Sequence, residues 1–237
     1  NNRILYGFLN RYYENKFYSL ASKIIFTHED ARSAHIDYFD IETTKTYIGN
    51  PISNFKEEIY SASLEYNYNS HPKKFGYFGI FTKGVRSPKN FMNFFKETEN
   101  IEFHWYVNDD SKNEIASHNK ELNSIFHSIV EREEALKLMA GSFHCLVSIG
   151  NLNTTQIPSK VIEYISTGKP VIHFCEVEND PVKNIANEFQ NLFIISETSN
   201  KENLLNQLNS FYKDISTFNK ELFIEKYTSN SITEILN

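Results

Sequence analysis

Three side chains of different chemistry stand close together in the segment 158–168: the hydroxyl of Ser159, the amine of Lys160 and the carboxylate of Glu163. They open a predicted helix that follows a buried strand, Gly150 and a polar loop. Free N–H groups and the positive end of the dipole at such a helix start favour an anion, so a diphosphate would suit this place. Glu163, one turn later, can accept hydrogen bonds from two vicinal hydroxyls, as in a ribose. An amphipathic helix with a solvated lysine and glutamate explains the same pattern equally well.

The elements that must position these residues alternate from about residue 75 onward. Six short apolar runs are separated by amphipathic stretches, which predicts an α/β fold with a doubly wound, Rossmann-like parallel sheet of about six strands. The apolar runs cover residues 75–80, 101–107, 124–129, 143–149, 170–175 and 192–195. Ligands of such sheets bind beyond the carboxyl ends of the strands. The segment after Gly150 is therefore expected at a binding edge.

Helices are predicted between and after these strands from the signals at their ends. Pro88 opens the stretch 88–96, Gly141 ends the stretch 132–140, and Pro158 and Gly168 bound the stretch 158–167. Two further helices are expected near the end of the chain, where apolar residues recur at helical spacing. They cover residues 201–212 and 215–235.

The first 53 residues do not continue this series. They are typical of an aromatic-rich helix (5–20), a strand (23–28), a second helix (29–38) and a linker (46–54). One strand with two helices is too little to bury a core of its own. We therefore expect residues 1–53 to be a remnant of a preceding domain plus linker, either docked on the main domain or separated from a domain that is absent. Residues 54–237 are expected to form the ligand-binding domain with C-terminal helices.

The composition excludes several classes of protein. The 237 residues have a formal net charge of −6 and no long basic run, so nucleic acid is not expected as a partner. Cys145 and Cys175 lie in apolar stretches, and neither they nor the eight histidines show metal-ligand spacing, which favours buried thiols in a reducing compartment and no metal site. No apolar run approaches the ~20 residues of a membrane span. Gly76-x-x-Gly79 lacks the three-glycine dinucleotide fingerprint.

The segment 158–172, PSKVIEYISTGKPVI, resembles the donor-site signature of retaining glycosyltransferases with the B-type fold, which has two Rossmann-like domains. The likeness is to glycosyltransferase family 4 and its relatives, and to their C-terminal, donor-binding domain. It extends to the segment 75–79 (FGYFG), similar to the first strand and glycine turn of that domain. The segment 47–52 (YIGNPI) is similar to the linker before it. The resemblance thus covers nearly the whole chain in the expected order.

The resemblance implies a role for each candidate residue at the donor site. Glu163 matches the second glutamate of the family's pair and would hold the ribose. Thr155 stands where the first glutamate would contact the donor sugar, a carboxylate that some branches with this helix start also lack. Arg86 and Lys160 would neutralise the diphosphate as it leaves, and the planar fork of an arginine suits phosphate oxygens.

Further donor contacts are implied at one turn and one loop, and each has a simpler alternative. The loop that closes the strand 124–129 meets the base through backbone groups in the family, although a plain helix cap would account for it. Lys83 and Lys89, on either side of Arg86, are explained as solvated loop charges. The implied contacts are Gly79 in the glycine turn, Val130 and Glu131 at the base, and Ile157, Pro158 and Ser159 at the helix start.

The resemblance implies a glycosyltransferase of the hexosyltransferase type, active in polysaccharide biosynthesis, with residues 1–53 as the remnant of its acceptor-side, N-terminal domain plus linker. It would bind a UDP-linked sugar and transfer the sugar with retention to a glycan, lipid-linked or protein acceptor, without an obligatory metal or another cofactor. A non-catalytic partner subunit, which Thr155 favours, and a nucleotide-sugar epimerase on the same fold are the alternatives. The expected location is cytoplasmic, with peripheral contact at the inner face of the membrane. The isolated chain is expected to bind nucleotide but to transfer no sugar at a useful rate.

Overall fold

The computed structural model describes residues 2–118, 122–215 and 218–236. Its strands are β1 (Ile24–Phe26), β2 (Thr46–Ile48), β3 (Lys73–Phe78), β4 (Ile101–Tyr106), β5 (Ser124–His127), β6 (Cys145–Ile149), β7 (Val171–Phe174) and β8 (Leu192–Ile195). Its helices are α1 (Asn2–Leu20), α2 (Glu29–Phe39), α3 (Glu57–Leu64), α4 (Lys89–Phe95), α5 (Asp109–His118), α6 (Arg132–Ser142), α7 (Ser159–Ile165), α8 (Val182–Ala186), α9 (Lys201–Phe211), α10 (Lys220–Tyr227) and α11 (Ser229–Leu236).

The main sheet has six strands in the order β5-β4-β3-β6-β7-β8, and every neighbouring pair runs parallel. This confirms the predicted fold class. The strands step outward in one direction from β3 to β5 and in the other from β6 to β8, so the connection between β5 and β6 reverses the series. The reversal leaves a crevice between β3 and β6 at their carboxyl ends, where ligands bind in sheets of this kind.

Two apolar cores cover the two faces of this sheet. On one face, Leu146 of β6 packs in a cluster that includes Leu136 of α6. On the other, Val147 of β6 belongs to a cluster with Phe91 of α4 and Leu204 of α9. Successive strand residues point to opposite faces, so Leu146 and Val147 lie in different cores. Helices on both faces bury every residue of the central strands β6 and β7, which explains their near-continuous apolar sequence.

A second, two-stranded sheet lies in the first part of the chain and differs from the prediction. Thr46–Ile48, expected as the start of a linker, is a strand that pairs in parallel with Ile24–Phe26. Three residues are too few to show the alternation that marks a strand in a sequence. This unit also has a small core, which the sequence did not predict, formed by Ile24, Phe26, Ala31 and Ile41. The division of the chain into two domains at residue 53 stays a prediction.

The small sheet is bonded to the end of the chain as well as to the segment that follows it. Asn50 Nδ2 donates to the carbonyl of Lys226 at 3.1 Å. Lys23 Nζ donates to the carbonyl of Ile235 at 2.7 Å, and a Cβ on Gly49 would lie 3.3 Å from Ile235 Cδ1. Helix α11 therefore packs on the small sheet, whereas α10 contributes to the core of the main domain.

The helices differ from the prediction at several ends. α6 continues through Gly141 to Ser142. The predicted helix 215–235 is divided, because Thr228 after α10 is extended at φ −112° and ψ 178°; residues 216 and 217 of that prediction lie outside the described part of the chain. Helices α3, α5 and α8 were not predicted. Among the described residues, no helix has the length and apolar content that crossing a bilayer requires.

Candidate functional site

A cavity of about 340 Å³ opens at the crevice between β3 and β6. The turn after β3 forms one wall and the loop after β6 forms the other, so the cavity lies where the topology of the sheet places a ligand. Thr27, the residue that follows β1, also lines the cavity, so the segment next to the small sheet contributes to its wall. The residues that line the cavity are Thr27, Ile80, Thr82, Val85, Arg86, Asn151, Thr155, Gln156, Ile157, Pro158 and Ser159.

The two walls are held together by the buried hydroxyl of Tyr164 in α7. It donates to the carbonyl of Phe78 at 3.0 Å and accepts from the N–H of Phe78 at 3.0 Å. Phe78 is the last residue of β3, so this exchange positions α7 against the turn that follows β3. Leaving a buried backbone group unpaired costs about 1–3 kcal/mol, and the exchange avoids that cost.

The loop after β6 leaves the sheet at Gly150, where a larger residue would not fit. A Cβ there would collide with the carboxylate of Asp180 and lie 3.1 Å from the carbonyl oxygen of Phe174. On the opposite wall, Gly79 follows β3, and it is the next residue, Ile80, that lines the cavity. The predicted contact of Gly79 with the donor stays a prediction.

Helix α7 is shorter than the sequence predicts. It spans Ser159–Ile165 rather than 158–167. The Ser166 hydroxyl donates to the carbonyl of Glu163 at 2.7 Å, and Gly168 then turns the chain with a left-handed φ of 74°. A helix of about two turns has a small dipole. Positive potential at this edge therefore depends on the cationic side chains more than on the helix start.

Arg86 joins the two walls of the cavity. Its Nη2 donates to Asn151 Oδ1 at 2.8 Å, and Asn151 Nδ2 donates to the carbonyl of Gln156 at 3.3 Å. The Nε of Arg86 is buried and has no hydrogen-bond partner among the described residues. A buried donor without a partner costs about 1–3 kcal/mol, which an oxygen of a ligand would offset. Lys83 and Lys89 are exposed and do not line the cavity.

The phenol of Tyr77 is a second buried polar group, which lies beside the Arg86 side chain but forms no hydrogen bond of ordinary geometry within the described chain. Its oxygen lies 3.3 Å from the position that a Cβ on Gly79 would take. Burial raises the pKa of Tyr77, and the nearby charge of Arg86 offsets part of this rise. No sequence pattern marks this group, because an aromatic residue in an apolar strand indicates a core position.

Glu163 binds two cations although its side chain is only 8% exposed. Its Oε1 accepts a hydrogen bond from Arg132 Nε at 2.9 Å, and its Oε2 accepts one from Lys160 Nζ. Burial by itself would raise the pKa of this carboxyl, but the hydrogen bonds from Lys160 and Arg132 outweigh it and lower the pKa. Glu163 is therefore an ionised acceptor. Arg132 was not predicted as a site residue, because only the tertiary fold brings it to Glu163.

The predicted base contacts lie beside this ion cluster. Glu131 directly precedes α6, and its side chain makes no capping hydrogen bond. Val130 packs against the core. These two residues, like Lys160 and Glu163, do not line the 340 Å³ cavity. The candidate residues thus form an extended surface, which begins at the cavity, crosses the first turn of α7 and ends at the start of α6.

Thr155 lines the cavity with a hydroxyl where the family resemblance would place a carboxylate. Its N–H and its hydroxyl both donate to Asn153 Oδ1 at 3.1 Å, and such a turn fixes the loop conformation. The lining residues that the structure describes include no acidic side chain. The cavity is therefore suited to an anion and offers no carboxylate to a sugar hydroxyl.

A buried Ser–His–Asp network lies near the carboxyl ends of β6 and β7. His173 Nδ1 lies 3.0 Å from Ser148 Oγ, and His173 Nε2 lies 3.1 Å from Asp180 Oδ2. Cys175 is close to His173 and Asp180, so the three could be considered as metal ligands. Both imidazole nitrogens are already hydrogen-bonded, however, and the Ser148 hydroxyl is buried away from any substrate. We assign this network to packing. Cys145 and Cys175 are free and buried, as predicted.

The fold is similar to that of solved glycosyltransferases. HepE of Anabaena, in complex with UDP and glucose, matches with a TM-score of 0.64 and 12% identity over 91% of this chain and 61% of its own. TarM matches with a TM-score of 0.59 and 18% identity over 94% of this chain and 45% of its own. A glycosyltransferase from Rickettsia africae ESF-5 matches with a TM-score of 0.64 and 12% identity over 94% of this chain and 64% of its own.

The chain therefore spans less than two-thirds of the length of these three proteins. At such low identity the likeness establishes the fold, which is the Rossmann-like fold of the B-type glycosyltransferases. Neither the family models nor the curated protein sequences give a match to this chain.

Proposed function

We propose that this chain is the C-terminal, donor-binding half of a retaining glycosyltransferase of family 4, and that it binds a UDP-linked sugar. The observation that carries the proposal is the cavity at the switch point between β3 and β6, where Arg86 has a buried Nε–H without a partner in the described chain. The glycosyltransferase fold supports it, and HepE of that fold was solved with UDP and glucose.

In this proposal the diphosphate occupies the cavity. Arg86 donates to its oxygens from the wall after β3, and the Ser159 hydroxyl donates from the start of α7 beside Ile157 and Pro158. Lys160, the next residue, adds a second positive charge. Because negative charge develops on the diphosphate as the sugar C1–O bond breaks, fixed cations at this place lower the barrier. These side chains take the neutralising role, so the proposal includes no obligatory metal and no other cofactor.

The nucleoside lies further along the same surface. Glu163 is ionised and buried, and it accepts hydrogen bonds from the two vicinal hydroxyls of the ribose. The base meets backbone groups of Val130 and Glu131 at the start of α6. The donor sugar lies toward Gly79 and Thr155, where a hydroxyl replaces the carboxylate that the family resemblance would place there.

Transfer moves the sugar from the diphosphate to a hydroxyl of a glycan, lipid-linked or protein acceptor with retention of configuration. This chain spans less than two-thirds of the proteins it resembles in fold, so we propose that the acceptor is bound mainly by a second domain. Closing two domains around both substrates supplies proximity and excludes water. The chain alone is therefore expected to bind the donor without transferring the sugar at a useful rate.

The proposal is tested by calorimetric titration of the chain with UDP, GDP and ADP and with their sugar conjugates. Lys160→Ala and Glu163→Gln should each weaken binding of the favoured nucleotide roughly ten- to a hundredfold, which is the loss of one charge-assisted hydrogen bond. Lys89→Ala is the matched control, because Lys89 is an exposed lysine that, unlike Lys160, forms no ion pair with Glu163. Unchanged affinity in both site variants would place the site elsewhere.

A binding-only role is the second candidate, and it is favoured by the lining of the cavity, whose described residues include no acidic side chain. The two functions are separated by assaying this chain and its full-length parent side by side with a labelled donor and a crude acceptor extract. Transfer by the parent alone supports the half-enzyme. Binding in both without transfer supports a non-catalytic subunit, and comparable turnover by the short chain would refute the need for a second domain.

A further inference from the structure

Two residues with separate roles in the proposed function are bonded to each other in this structure. Lys160, assigned to the diphosphate, donates to Oε2 of Glu163, which is assigned to the ribose. A carboxylate oxygen has two lone pairs, so Oε2 cannot accept from the ammonium of Lys160 and from both hydroxyls of a ribose at once. Nucleotide binding at this place therefore requires Lys160 and Glu163 to separate.

That separation would be costly if Lys160 were the only partner of Glu163. A buried charge that loses its one compensating partner is strongly destabilised, because the protein does not replace the lost hydration. Glu163 has a second cation, however, since Arg132 Nε donates to its other oxygen at 2.9 Å. With Arg132 in place, the carboxylate stays ionised and oriented while Oε2 changes its partner.

Arg132 is suited to this role by its position. It is the first residue of α6, directly after Val130 and Glu131, and the helix behind it is anchored in the core through Leu136. It uses Nε for Glu163, and its two terminal nitrogens make no hydrogen bond within the described part of the chain. Its side chain is 53% exposed, so the arginine stabilises Glu163 from the solvent side without being packed itself.

We propose that Arg132 is a positioning residue for the nucleoside, which holds Oε1 of Glu163 so that Oε2 can pass from Lys160 to the ribose hydroxyls. The same exchange releases Lys160 to the diphosphate, so recognition of the ribose and neutralisation of the diphosphate are coupled through one carboxylate. This inference rests on the proposed function. Arg132 therefore raises the affinity for the nucleotide only through Glu163, and this effect depends on the ribose hydroxyls.

The test compares UDP with 2′-deoxy-UDP by calorimetric titration of the wild-type chain and of Arg132→Met. In the wild type, loss of the 2′-hydroxyl should weaken binding on the order of tenfold, since it removes a hydrogen bond to an ionised group. In Arg132→Met, binding of UDP should fall on the order of tenfold while binding of 2′-deoxy-UDP changes little. The ratio of the two affinities should therefore approach one. Arg132→Lys, which keeps a cation, should restore part of the discrimination.

Lys137→Met is the matched control, because Lys137 is an exposed lysine on the same helix that does not contact Glu163. It should leave the ratio of affinities unchanged, and thermal unfolding should show that each variant is folded. Equal weakening of UDP and 2′-deoxy-UDP by Arg132→Met would mean a general effect of charge and would overturn the inference, as would unchanged binding of both. A wild-type chain that binds no nucleoside diphosphate would instead overturn the proposed function, and the inference with it.

Discussion

Two basic side chains at opposite edges of the main sheet, Arg86 and Lys169, have very different hydrogen-bond partners. Arg86 lies beyond the carboxyl end of β3 and has a buried Nε–H without a partner in the described chain. Lys169 lies before the amino end of β7 and is fully buried. Its Nζ donates to the carbonyl of Phe143 at 2.7 Å and to the hydroxyl of Tyr68 at 3.2 Å, and lies 3.8 Å from the centre of the Tyr66 ring.

The comparison teaches that burial and charge alone do not mark a binding site. Lys169 has partners supplied by the protein, so its cluster has no place for a ligand atom and contributes to the fold. Arg86 has a donor that the protein leaves unpaired beside a cavity. A native structure keeps few unpaired buried donors, so Arg86 is an exception among the buried groups of this fold, whereas Lys169 is not. Substitution of Lys169 should therefore change mainly the free energy of unfolding, and substitution of Arg86 should change the affinity for nucleotide.

The largest expected effect is on the pH dependence of stability in Lys169→Met. Burial lowers the pKa of Lys169 from 10.5 to about 6 in the folded chain. Between these values the unfolded chain binds more protons, so the stability of the wild type rises with pH across this window, by about 1 kcal/mol per unit. In Lys169→Met this contribution is absent. Urea denaturation between pH 7 and 9 should show wild-type stability increasing relative to the variant as pH rises.

The control for this comparison is Lys213→Met, since Lys213 is exposed and should follow the wild-type curve. Nucleotide affinity of folded Lys169→Met should equal that of the wild type. Parallel pH curves for the wild type and Lys169→Met would show that Lys169 keeps its proton when folded, and would remove this contrast with Arg86.

The second-largest effect is expected for UDP binding, on substitution of Arg86 at the carboxyl edge of the main sheet. Arg86→Met should weaken UDP binding by about 1.5–3 kcal/mol, which is the loss of a charge-assisted hydrogen bond. Its free energy of unfolding should also fall, by about 1–3 kcal/mol, because the variant leaves the buried Oδ1 of Asn151 without its donor. Titration and urea denaturation of the same samples measure both values, with Lys83→Met as the exposed neighbour for comparison. A variant that loses stability while keeping affinity would reverse the assignment of the two edges.

The smallest effect is expected for two buried tyrosines, Tyr68 and Tyr77. Their hydroxyls are neutral, and they differ in hydrogen bonding as Lys169 and Arg86 do. The Tyr68 hydroxyl donates to the carbonyl of Ser63 at 3.2 Å and accepts from Lys169, whereas the Tyr77 hydroxyl forms no hydrogen bond of ordinary geometry among the described residues. Tyr68→Phe should reduce the free energy of unfolding by about 1–2 kcal/mol, and Tyr77→Phe should change it by less than about 0.5 kcal/mol. Thermal or urea unfolding decides this, and equal losses would mean that Tyr77 is satisfied.

The main sheet could be predicted from the sequence because burial on both faces makes its strands almost continuously apolar. The end of α7 was also signalled, by Gly168 and Pro170, although the helix stops two residues before the predicted end. β2 escaped prediction because three residues carry no period. The strand's partner, β1, lies about twenty residues earlier, and only their pairing in the fold reveals it.

The candidate site was predicted where one segment carries several of its residues and missed where distant segments meet. Pro158 and Ser159 belong to one motif, and the structure places both at the cavity. Arg132 and Asn151 act through single side-chain contacts across the fold, and neither has a local pattern that distinguishes it from a surface residue. Lys169 lies between Gly168 and Pro170, where the sequence indicates a turn and therefore an exposed lysine. The structure buries it instead.

The position of the small sheet in the chain restricts how it can move, because the chain connects it to the main sheet at two places. The chain passes from the small sheet to the main domain near Asn50, and it returns at Thr228, where α10 gives way to α11. The chain therefore crosses between the small sheet and the main sheet twice, and a rotation about the line that joins the two crossings would be the motion that displaces them least. Thr27, directly after β1, would rotate with the small sheet, and it lines the cavity. Such a rotation would widen or narrow the cavity at that wall and would leave the walls built by β3 and β6 in place.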